Sequence, residues 1–421
     1  MQAEILSTGD EVLNGAVIDS NAAHIARKLL QAGIPVVRHI TVGDDMDRLV
    51  AALDDIGKRS QVAVVTGGLG PTLDDLTAAA AARAAGVELA ENGAALGYIE
   101  DFFSQYFRKM TVSDRKQALL PASAEPIVNP AGTAPGFRMR IGQCTCFFLP
   151  GVPMEMKRMM AESVLPAITS SFRAGDGPRH HQEKLLSLFG LPEATVNERI
   201  AGLADGFGEV KLGMIARFPV IDVKLTAFGP DAAILEDSIE KAAGQVTGIL
   251  GNWIFSTRQE PMEAVVGELL REKGATVALA ESCTGGLIAH RLTDVPGSSD
   301  YFLFSAVTYA NAAKEGILGV SPETLAAHGA VSEPTVREMA KGARRIAGAD
   351  YGLSTSGIAG PTGGTAEKPV GTVCIGVAGP DRTISRRIGF PFRNRSANKE
   401  IFAQTALDML RRELSGLDQI F

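Results

Sequence analysis

The sequence lacks a long apolar run, a cysteine pair with metal-binding spacing and any excess of positive charge. No stretch of the 421 residues approaches the roughly 20 apolar residues that cross a bilayer, and no basic leader precedes the first apolar stretch. The four cysteines contain no Cys-x-x-Cys pair, as suits a reducing cytoplasm. With 41 basic and 48 acidic residues, the net charge of −7 argues against a nucleic-acid binder. We therefore expect a cytoplasmic protein that binds small molecules, without a membrane or nucleic-acid partner.

Glycine, in contrast, is abundant. The 46 glycines fall in short clusters rather than in repeats, and apolar residues make up 45% of the chain. This pattern is typical of α/β proteins whose strands end in glycine turns. A chain of this length also exceeds what one hydrophobic core usually holds, so we expect several domains.

Three segments differ in pattern. Residues 1–170 alternate between apolar strands, such as AEILST (3–8), and amphipathic helices, which predicts a parallel, doubly wound sheet. The polar run at 171–183 indicates a linker, and residues 180–252 predict a small α+β domain that serves as a spacer or dimer-forming module. Residues 257–416 predict α/β structure again. The predicted fold class is therefore α/β, with two three-layer α/β domains joined by a small α+β domain.

The first candidate site is the glycine loop TGGLGPTLDDLT, which follows a predicted strand. Its glycines allow close approach of a ligand to the backbone, and the helix expected to begin near Asp74 would offer free amides. Asp74 and Asp75 next to such a loop could hold a divalent cation against a diphosphate. Asp10 ends the first strand at the same sheet edge, and the turn at 129–137 could close over the pocket. The alternative is a plain strand–helix turn with an acidic cap.

The second candidate site is VALAESCTGG, which places Ser282 where a buried strand turns into a helix expected to begin near Thr284. A serine there could act as a nucleophile next to helix amides that stabilise an oxyanion, or it could merely cap the helix. Cys283 is a rival nucleophile. Only two histidines, His290 and His328, follow residue 181, so a Ser-His-Asp triad is not expected.

A serine without histidine needs another base, and SAVTYANAAKEG supplies two candidates. Tyr309 ends a predicted strand, and Lys314 falls in the first turn of a helix if Asn311 caps it. The helix dipole would lower the pKa of a lysine at that position. The alternatives are a solvent-facing lysine and a core tyrosine.

Two further segments are suited to anions. SGIAGPTGG (356–364) is a third glycine loop, and RNRSANKE (393–400) places arginines at the start of the last helix, where they could grip a phosphate. A plain charged surface is the alternative for the arginines.

Together these segments resemble the CinA family (competence/damage-inducible protein A) over essentially the whole chain. GDEVLNG, TGGLGPTLDDLT, NPAGTAPGF and LPGVPMEM resemble its N-terminal domain, which is similar to molybdopterin-binding domains. AESCTGG, VTYANAAKEGILGV, GAVSEPTV and SGIAGPTGG resemble its C-terminal amidohydrolase domain. The middle segment is similar to the family's KH-like domain, and a homodimer is implied.

The resemblance implies two activities in pyridine nucleotide salvage. The C-terminal domain would deamidate nicotinamide mononucleotide to nicotinic acid mononucleotide and ammonia, without a cofactor. The N-terminal domain would hydrolyse ADP-ribose to AMP and ribose 5-phosphate with a divalent metal, Mg²⁺ or Co²⁺.

The resemblance also implies roles for residues. Ser282 would be the nucleophile, with Tyr309 and Lys314 positioning or removing its proton. Arg395 is the natural match for a phosphate contact, although this chain has Phe-Arg-Asn-Arg where the family often has a Gly-Asp-Arg-like run. The implied metal ligands are Asp10, Asp74 and Asp75. The implied substrate-binding residues are Thr284, Gly285, Gly286, Gly357, Gly360, Gly363, Gly67, Gly68, Gly70 and Thr133.

Two other functions stay open. The N-terminal domain could bind a nucleotide or pterin-type ligand without hydrolysing it, because a fold does not fix a function. The protein could also be chiefly an interaction scaffold in competence or the response to DNA damage.

Overall fold

The computed structural model describes residues 2–105, 109–173 and 180–420. The chain divides into two compact units. The first consists of Met1–Gln182 with Ala227–Asp237, and the second of Glu183–Thr226 with Ser238–Phe421.

The N-terminal segment folds around a six-stranded sheet with the order β2-β1-β3-β8-β7-β6. Its elements are β1 (Ala3–Thr8), α1 (Asp10–Leu13), α2 (Ser20–Gln31), β2 (Val36–Val42), α3 (Met46–Arg59), β3 (Val62–Thr66), α4 (Thr77–Ala85), β4 (Leu89–Glu91), α5 (Gly93–Gln105), α6 (Val112–Lys116), β5 (Leu119–Pro121), β6 (Glu125–Ile127), β7 (Gly136–Ile141), β8 (Cys144–Leu149), α7 (Pro153–Met159) and α8 (Leu165–Arg173).

Both faces of this sheet are buried, which makes three layers. Alternate residues of β3 face opposite ways: Ala63 and Val65 pack in one core, and Val62 and Val64 in the other. Strands β1, β2, β3 and β8 are parallel, but β7 pairs antiparallel to β8 and β6 antiparallel to β7. The predicted all-parallel sheet is therefore wrong at this edge, because only a short glycine turn joins β7 to β8, and so short a connection forces a hairpin.

The middle segment forms a four-stranded sheet with the order β10-β11-β9-β12. The polar run at 171–183 is a linker only in part, because β9 begins at His180; residues 174–179 lie outside the described residues. The elements are β9 (His180–Leu188), α9 (Glu193–Ile200), β10 (Lys211–Arg217), β11 (Val220–Gly229), α10 (Ala232–Leu250) and β12 (Ile254–Ser256).

The C-terminal segment again has three layers, around the sheet β14-β13-β15-β16-β17. Val277 and Leu279 of its central strand pack in one core, and Ala278 and Ala280 in the other. Its elements are α11 (Met262–Lys273), β13 (Val277–Glu281), α12 (Leu287–Thr293), β14 (Phe302–Val307), α13 (Asn311–Leu318), α14 (Pro322–His328), α15 (Glu333–Ala347), β15 (Tyr351–Gly357), β16 (Thr372–Ala378), β17 (Thr383–Gly389) and α16 (Arg395–Leu414). The predicted fold class is thus confirmed.

Two helices begin later than the sequence predicts. Helix α4 starts at Thr77 instead of near Asp74, because Asp75 folds back and accepts hydrogen bonds from the amide and the hydroxyl of Thr72. Helix α12 starts at Leu287 instead of near Thr284, because two glycines at positive φ first turn the chain. In both loops the residues before the helix therefore belong to a turn.

Across the described ranges, every helix is too short or too polar to span a bilayer.

Candidate active sites

Ser282 lies in the turn between β13 and α12, at the carboxyl end of a buried strand. The amide of Ser282 donates to the carbonyl oxygen of Thr355 at 3.0 Å, which ties the turn to β15. Gly285 and Gly286 complete the turn at φ of 63° and 89°, conformations that favour glycine. The serine is 8% exposed, so its hydroxyl is nearly enclosed by protein.

Lys314 of α13 meets Ser282 inside this enclosure. Its Nζ lies 3.3 Å from the Oγ of Ser282, 2.8 Å from the carbonyl oxygen of Thr308 and 3.3 Å from that of Tyr309. A neutral lysine amine has two N–H donors, which the two carbonyls accept, and one lone pair, which is then left for the serine proton. The contacts therefore suit a lysine that acts as a general base toward serine.

The pKa of Lys314 is held below its ordinary value. The cause is burial, which disfavours the charged ammonium. The sequence pointed instead to the dipole of a helix capped by Asn311, but α13 begins at Asn311 itself and has no side-chain cap. The expected direction is the same, and the physical reason is different.

Cys283, the rival nucleophile, points into the core. Burial raises the pKa of its thiol to about 12, so the thiol stays protonated near neutral pH and is a poor nucleophile. A Cβ on Gly357 would stand 2.6 Å from the carbonyl oxygen of Thr372 and 3.2 Å from the sulfur, which explains why a glycine ends β15 there.

Fewer backbone amides of the serine turn lack a partner in the protein than the sequence suggests. The amide of Gly285 donates to the carbonyl oxygen of Ser282, and that of Gly286 donates to the carboxylate of Glu281. The side chain of Thr284 bonds the hydroxyl of Thr355 and is fully buried. In the described part of the chain the Thr284 amide donates to no acceptor. Of the turn predicted to receive an oxyanion, Thr284 is thus the residue whose amide has no acceptor among the described residues, and the whole residue is buried.

Tyr309 belongs to a second, exposed group next to the serine turn. Its side chain is 61% exposed, and its hydroxyl accepts a hydrogen bond from Arg395 at 3.0 Å. Arg395 also donates to the carbonyl oxygen of Gly360 at 2.9 Å. Among the described residues the Tyr309 hydroxyl has no bond to Ser282. The structure therefore joins Tyr309 to the serine only through its backbone carbonyl, which contacts Lys314.

Lys399 is a further cation at this turn that the sequence reasoning did not single out. Its Nζ lies 3.6 Å from where a Cβ on Gly285 would stand. Together with Arg395, it offers two positive charges beside the serine turn, which suits a phosphate. Gly363 adopts φ of 88° in the neighbouring loop.

The predicted site of the N-terminal segment is a cavity of about 440 Å³ at the carboxyl ends of the parallel strands. The predicted residues that line it are Gly67, Gly68, Gly70, Asp74, Asp75 and Thr133. Thr133 and Ala134 of the turn at 129–137 line the cavity. The buried Asn129 donates to Glu155 at 2.7 Å, and Tyr98 donates to the carbonyl oxygen of Gly132 at 2.8 Å.

The carboxylates around this cavity carry crowded negative charge. The pKa of Asp44 is raised by burial and by the nearby charges of Asp10, Glu11 and Asp74. Asp10 and Asp44 each accept a hydrogen bond from the other's amide, at 3.1 and 3.0 Å. Within the described ranges, no three acidic, histidine or cysteine side chains are close enough to hold a metal on their own. Asp10 lies beside the cavity-lining Asp44, so the three predicted ligands do not form a ready cage.

The glycines of this loop are required by close contacts. Gly67 has φ of 108°, and a Cβ on it would stand 2.4 Å from the carbonyl oxygen of Thr8. We expect Gly67→Ala to lower the free energy of unfolding by about 2–3 kcal/mol, measured by urea denaturation, because both the backbone and the contact are strained. Gly86→Ala is the matched control. Gly86 has φ of 66° with no atom within 4 Å, so the loss should be about 1 kcal/mol. Equal losses would contradict the contact argument.

Three family models match the chain in succession. Residues 4–170 match a probable molybdopterin binding domain, residues 183–256 the damage-inducible protein CinA KH domain, and residues 259–414 the CinA C-terminal domain.

Full-length relatives are also found. A CinA-like protein of Desulfosudis oleivorans is 53% identical, covering 98% of this chain and 100% of its own. One of Citrifermentans bemidjiense is 48% identical and covers 98% of each chain. The crystal structure of CinA from Thermoplasma acidophilum is 34% identical over 40% of this chain and 97% of its own, with a TM-score of 0.37.

Proposed function

Because the chain belongs to the CinA family, we propose that its C-terminal domain is an amidohydrolase that converts nicotinamide mononucleotide and water into nicotinic acid mononucleotide and ammonia. The observation that carries this proposal is the contact between the buried Nζ of Lys314 and the Oγ of Ser282 at 3.3 Å. A serine paired with a lysine of lowered pKa is a known way to activate a hydroxyl without histidine.

The first half of the reaction forms an acyl-enzyme. Neutral Lys314 takes the proton of the Ser282 hydroxyl as the oxygen attacks the carboxamide carbon. The negative charge that develops on the carboxamide oxygen is stabilised by the Thr284 amide. Lys314 then gives the proton to the amide nitrogen, and the C–N bond breaks. Ammonia leaves, and the acyl group remains on Ser282 as an ester.

The second half restores the serine. Lys314, neutral again, takes a proton from a water molecule that attacks the ester carbon. The proton returns to the Ser282 oxygen as the C–O bond breaks, and the carboxylic acid product leaves and loses its own proton to solvent. Arg395 and Lys399 would hold the phosphate of the nucleotide throughout, which orients the carboxamide toward the serine.

The direct test is to incubate the purified protein with nicotinamide mononucleotide and measure ammonia and nicotinic acid mononucleotide together. Equal amounts of both products support the proposal. Absence of both would show that this nucleotide is not the substrate.

For the N-terminal domain we propose hydrolysis of ADP-ribose to AMP and ribose 5-phosphate. The supporting observation is the cavity of about 440 Å³ that combines a glycine loop with Asp74 and Asp75. The glycine loop suits a diphosphate, since its backbone can come close to the ligand.

A divalent cation fits the donors at this cavity. Burial raises the pKa of Asp44, and the nearby charges of Asp10, Glu11 and Asp74 raise it further; a cation would relieve this second effect. Mg²⁺ usually takes one or two carboxylates plus substrate phosphates rather than an all-protein cage. Asp74 and Asp75 would hold it, with Asp10 and Asp44 nearby. The cation would polarise the diphosphate toward attack by water.

We expect Asp74→Asn with Asp75→Asn to reduce AMP release from ADP-ribose by about 10²-fold or more, because the carboxylate contribution to cation binding is lost. The assay compares Mg²⁺, Co²⁺ and a chelator. Asp101→Asn is the control, an exposed aspartate on α5. Should wild type release no AMP with either metal, the domain is a nucleotide or pterin binder and not a hydrolase.

A further inference from the structure

We infer that Glu281 is a positioning residue that holds the Ser282 turn in register with Lys314. This inference rests on the amidohydrolase proposed above and adds a residue that acts through the nucleophile. Glu281 is the last residue of β13 and is 1% exposed. It immediately precedes Ser282.

The side chain of Glu281 links the two ends of the serine turn by hydrogen bonds. One carboxylate oxygen, Oε2, accepts hydrogen bonds from the amides of Gly286 at 3.0 Å and Ile288 at 3.2 Å. The other, Oε1, accepts from the amide of Ala289 at 2.9 Å. The carboxylate therefore binds amides at the start of α12, while residues 282–285 form the loop between its own backbone and those amides.

The backbone of Glu281 reaches the other half of the site. Its carbonyl oxygen accepts a hydrogen bond from the amide of Thr308 at 2.8 Å. The carbonyl oxygen of Thr308 in turn accepts from the Nζ of Lys314 at 2.8 Å. Glu281 is thus the chain neighbour of Ser282, and two successive hydrogen bonds through Thr308 connect it to Lys314.

The site requires a carboxylate and not merely a polar side chain. All three donors are backbone N–H groups, so both oxygens must accept. Glutamine has the same shape, but in either orientation its NH₂ group faces at least one amide N–H. An ordinary N-cap side chain accepts from an amide two or three residues further along the chain. The Glu281 carboxylate accepts from amides five to eight residues further along, so it fixes the loop between them, and that loop contains Ser282.

The test is Glu281→Gln in the full chain. We expect kcat for ammonia release to fall about 10²-fold, because a displacement of about 1 Å between reacting groups has an effect of this size. We expect KM to stay within about threefold, since Arg395 and Lys399 are untouched. A general loss of structure would change both constants and lower the melting temperature strongly.

Asp350→Asn is the matched control. Asp350 accepts from the amide and the hydroxyl of Thr276, just before the amino end of β13. It is therefore also a carboxylate bound to backbone at this strand, but at the end away from the serine. We expect its kcat to stay within about threefold of wild type.

A readout independent of the substrate separates this inference from the proposed function. A fluorophosphonate should label Ser282 about 10²-fold more slowly in Glu281→Gln than in wild type. If wild type releases no ammonia but this difference in labelling is found, the proposed substrate is wrong and the role of Glu281 stands. Labelling at the wild-type rate overturns the inference. If the glutamine variant does not fold, Glu281→Asp serves instead, because it keeps the charge but cannot span the same three amides.

Discussion

Replacing Ser282 with alanine is expected to reduce ammonia release from nicotinamide mononucleotide by at least about 10³-fold, because no acyl-enzyme can then form. Only the hydroxyl group is lost, and hydrogen bonds to Thr355 and Glu281 still fix the turn around it. The protein should therefore stay folded and keep binding the nucleotide. The measurement is ammonia release under saturating substrate, with calorimetry to follow binding of the same nucleotide.

Cys283→Ala is the control for the identity of the nucleophile. The thiol is buried and its pKa is raised to about 12, so its removal should leave the rate within a fewfold of wild type and affect mainly stability. If instead the cysteine variant is inactive and Ser282→Ala retains activity, the assignment of the nucleophile is wrong.

Replacing Lys314 with methionine is expected to have the second-largest effect, a loss of about 10³-fold in kcat, because the serine then lacks its base. In wild type only the neutral amine can accept the proton, so the rate should rise with pH as Lys314 loses its own proton. Burial lowers the pKa of Lys314, so this rise should occur below the ordinary lysine value of about 10.4. The pH–rate profile of the methionine variant should lack it.

Two variants test whether Lys314 acts as a base or only supplies a positive charge. Lys314→Arg keeps the charge but cannot be deprotonated, so we expect it to be as inactive as the methionine variant. Lys341→Met removes an exposed lysine of α15 and should leave the profile unchanged. A Lys314→Arg enzyme with near-normal activity would show that the amine does not act as a base.

The order of helices and strands could be predicted because it depends on local patterns. Helix α3, for example, is capped by Asp45, whose side chain accepts a hydrogen bond from the amide of Arg48 three residues later. Strand β13 follows from the continuous apolar run VALA. The antiparallel edge formed by β6 and β7 was missed, because pairing direction depends on which segments meet in space.

The candidate site was predicted in its residue types but not in its contacts. Glu281 carries a signal in the sequence, since an acidic residue at the end of a buried strand needs a partner. Its partners lie five to eight residues further along and are backbone amides, which no sequence pattern identifies. Tyr309 was expected at the serine hydroxyl, yet its own hydroxyl bonds Arg395, 86 residues away in the chain.

The sequence by itself determined the family, the α/β class and the two loops in which the chemistry is proposed. These depend on glycine, apolar periodicity and motif order, which are properties of neighbouring residues. Only the tertiary structure decided that Lys314 is buried against Ser282, that Cys283 faces the core and that Glu281 occupies the amides of α12. For Lys314 and Cys283 the reason is that burial and hydrogen-bond partners arise where strands β13, β14 and β15 come side by side, and segments so far apart in the chain meet only after folding. For Glu281 the reason is that the turn at 282–286 brings the backbone amides of α12 back to the carboxylate.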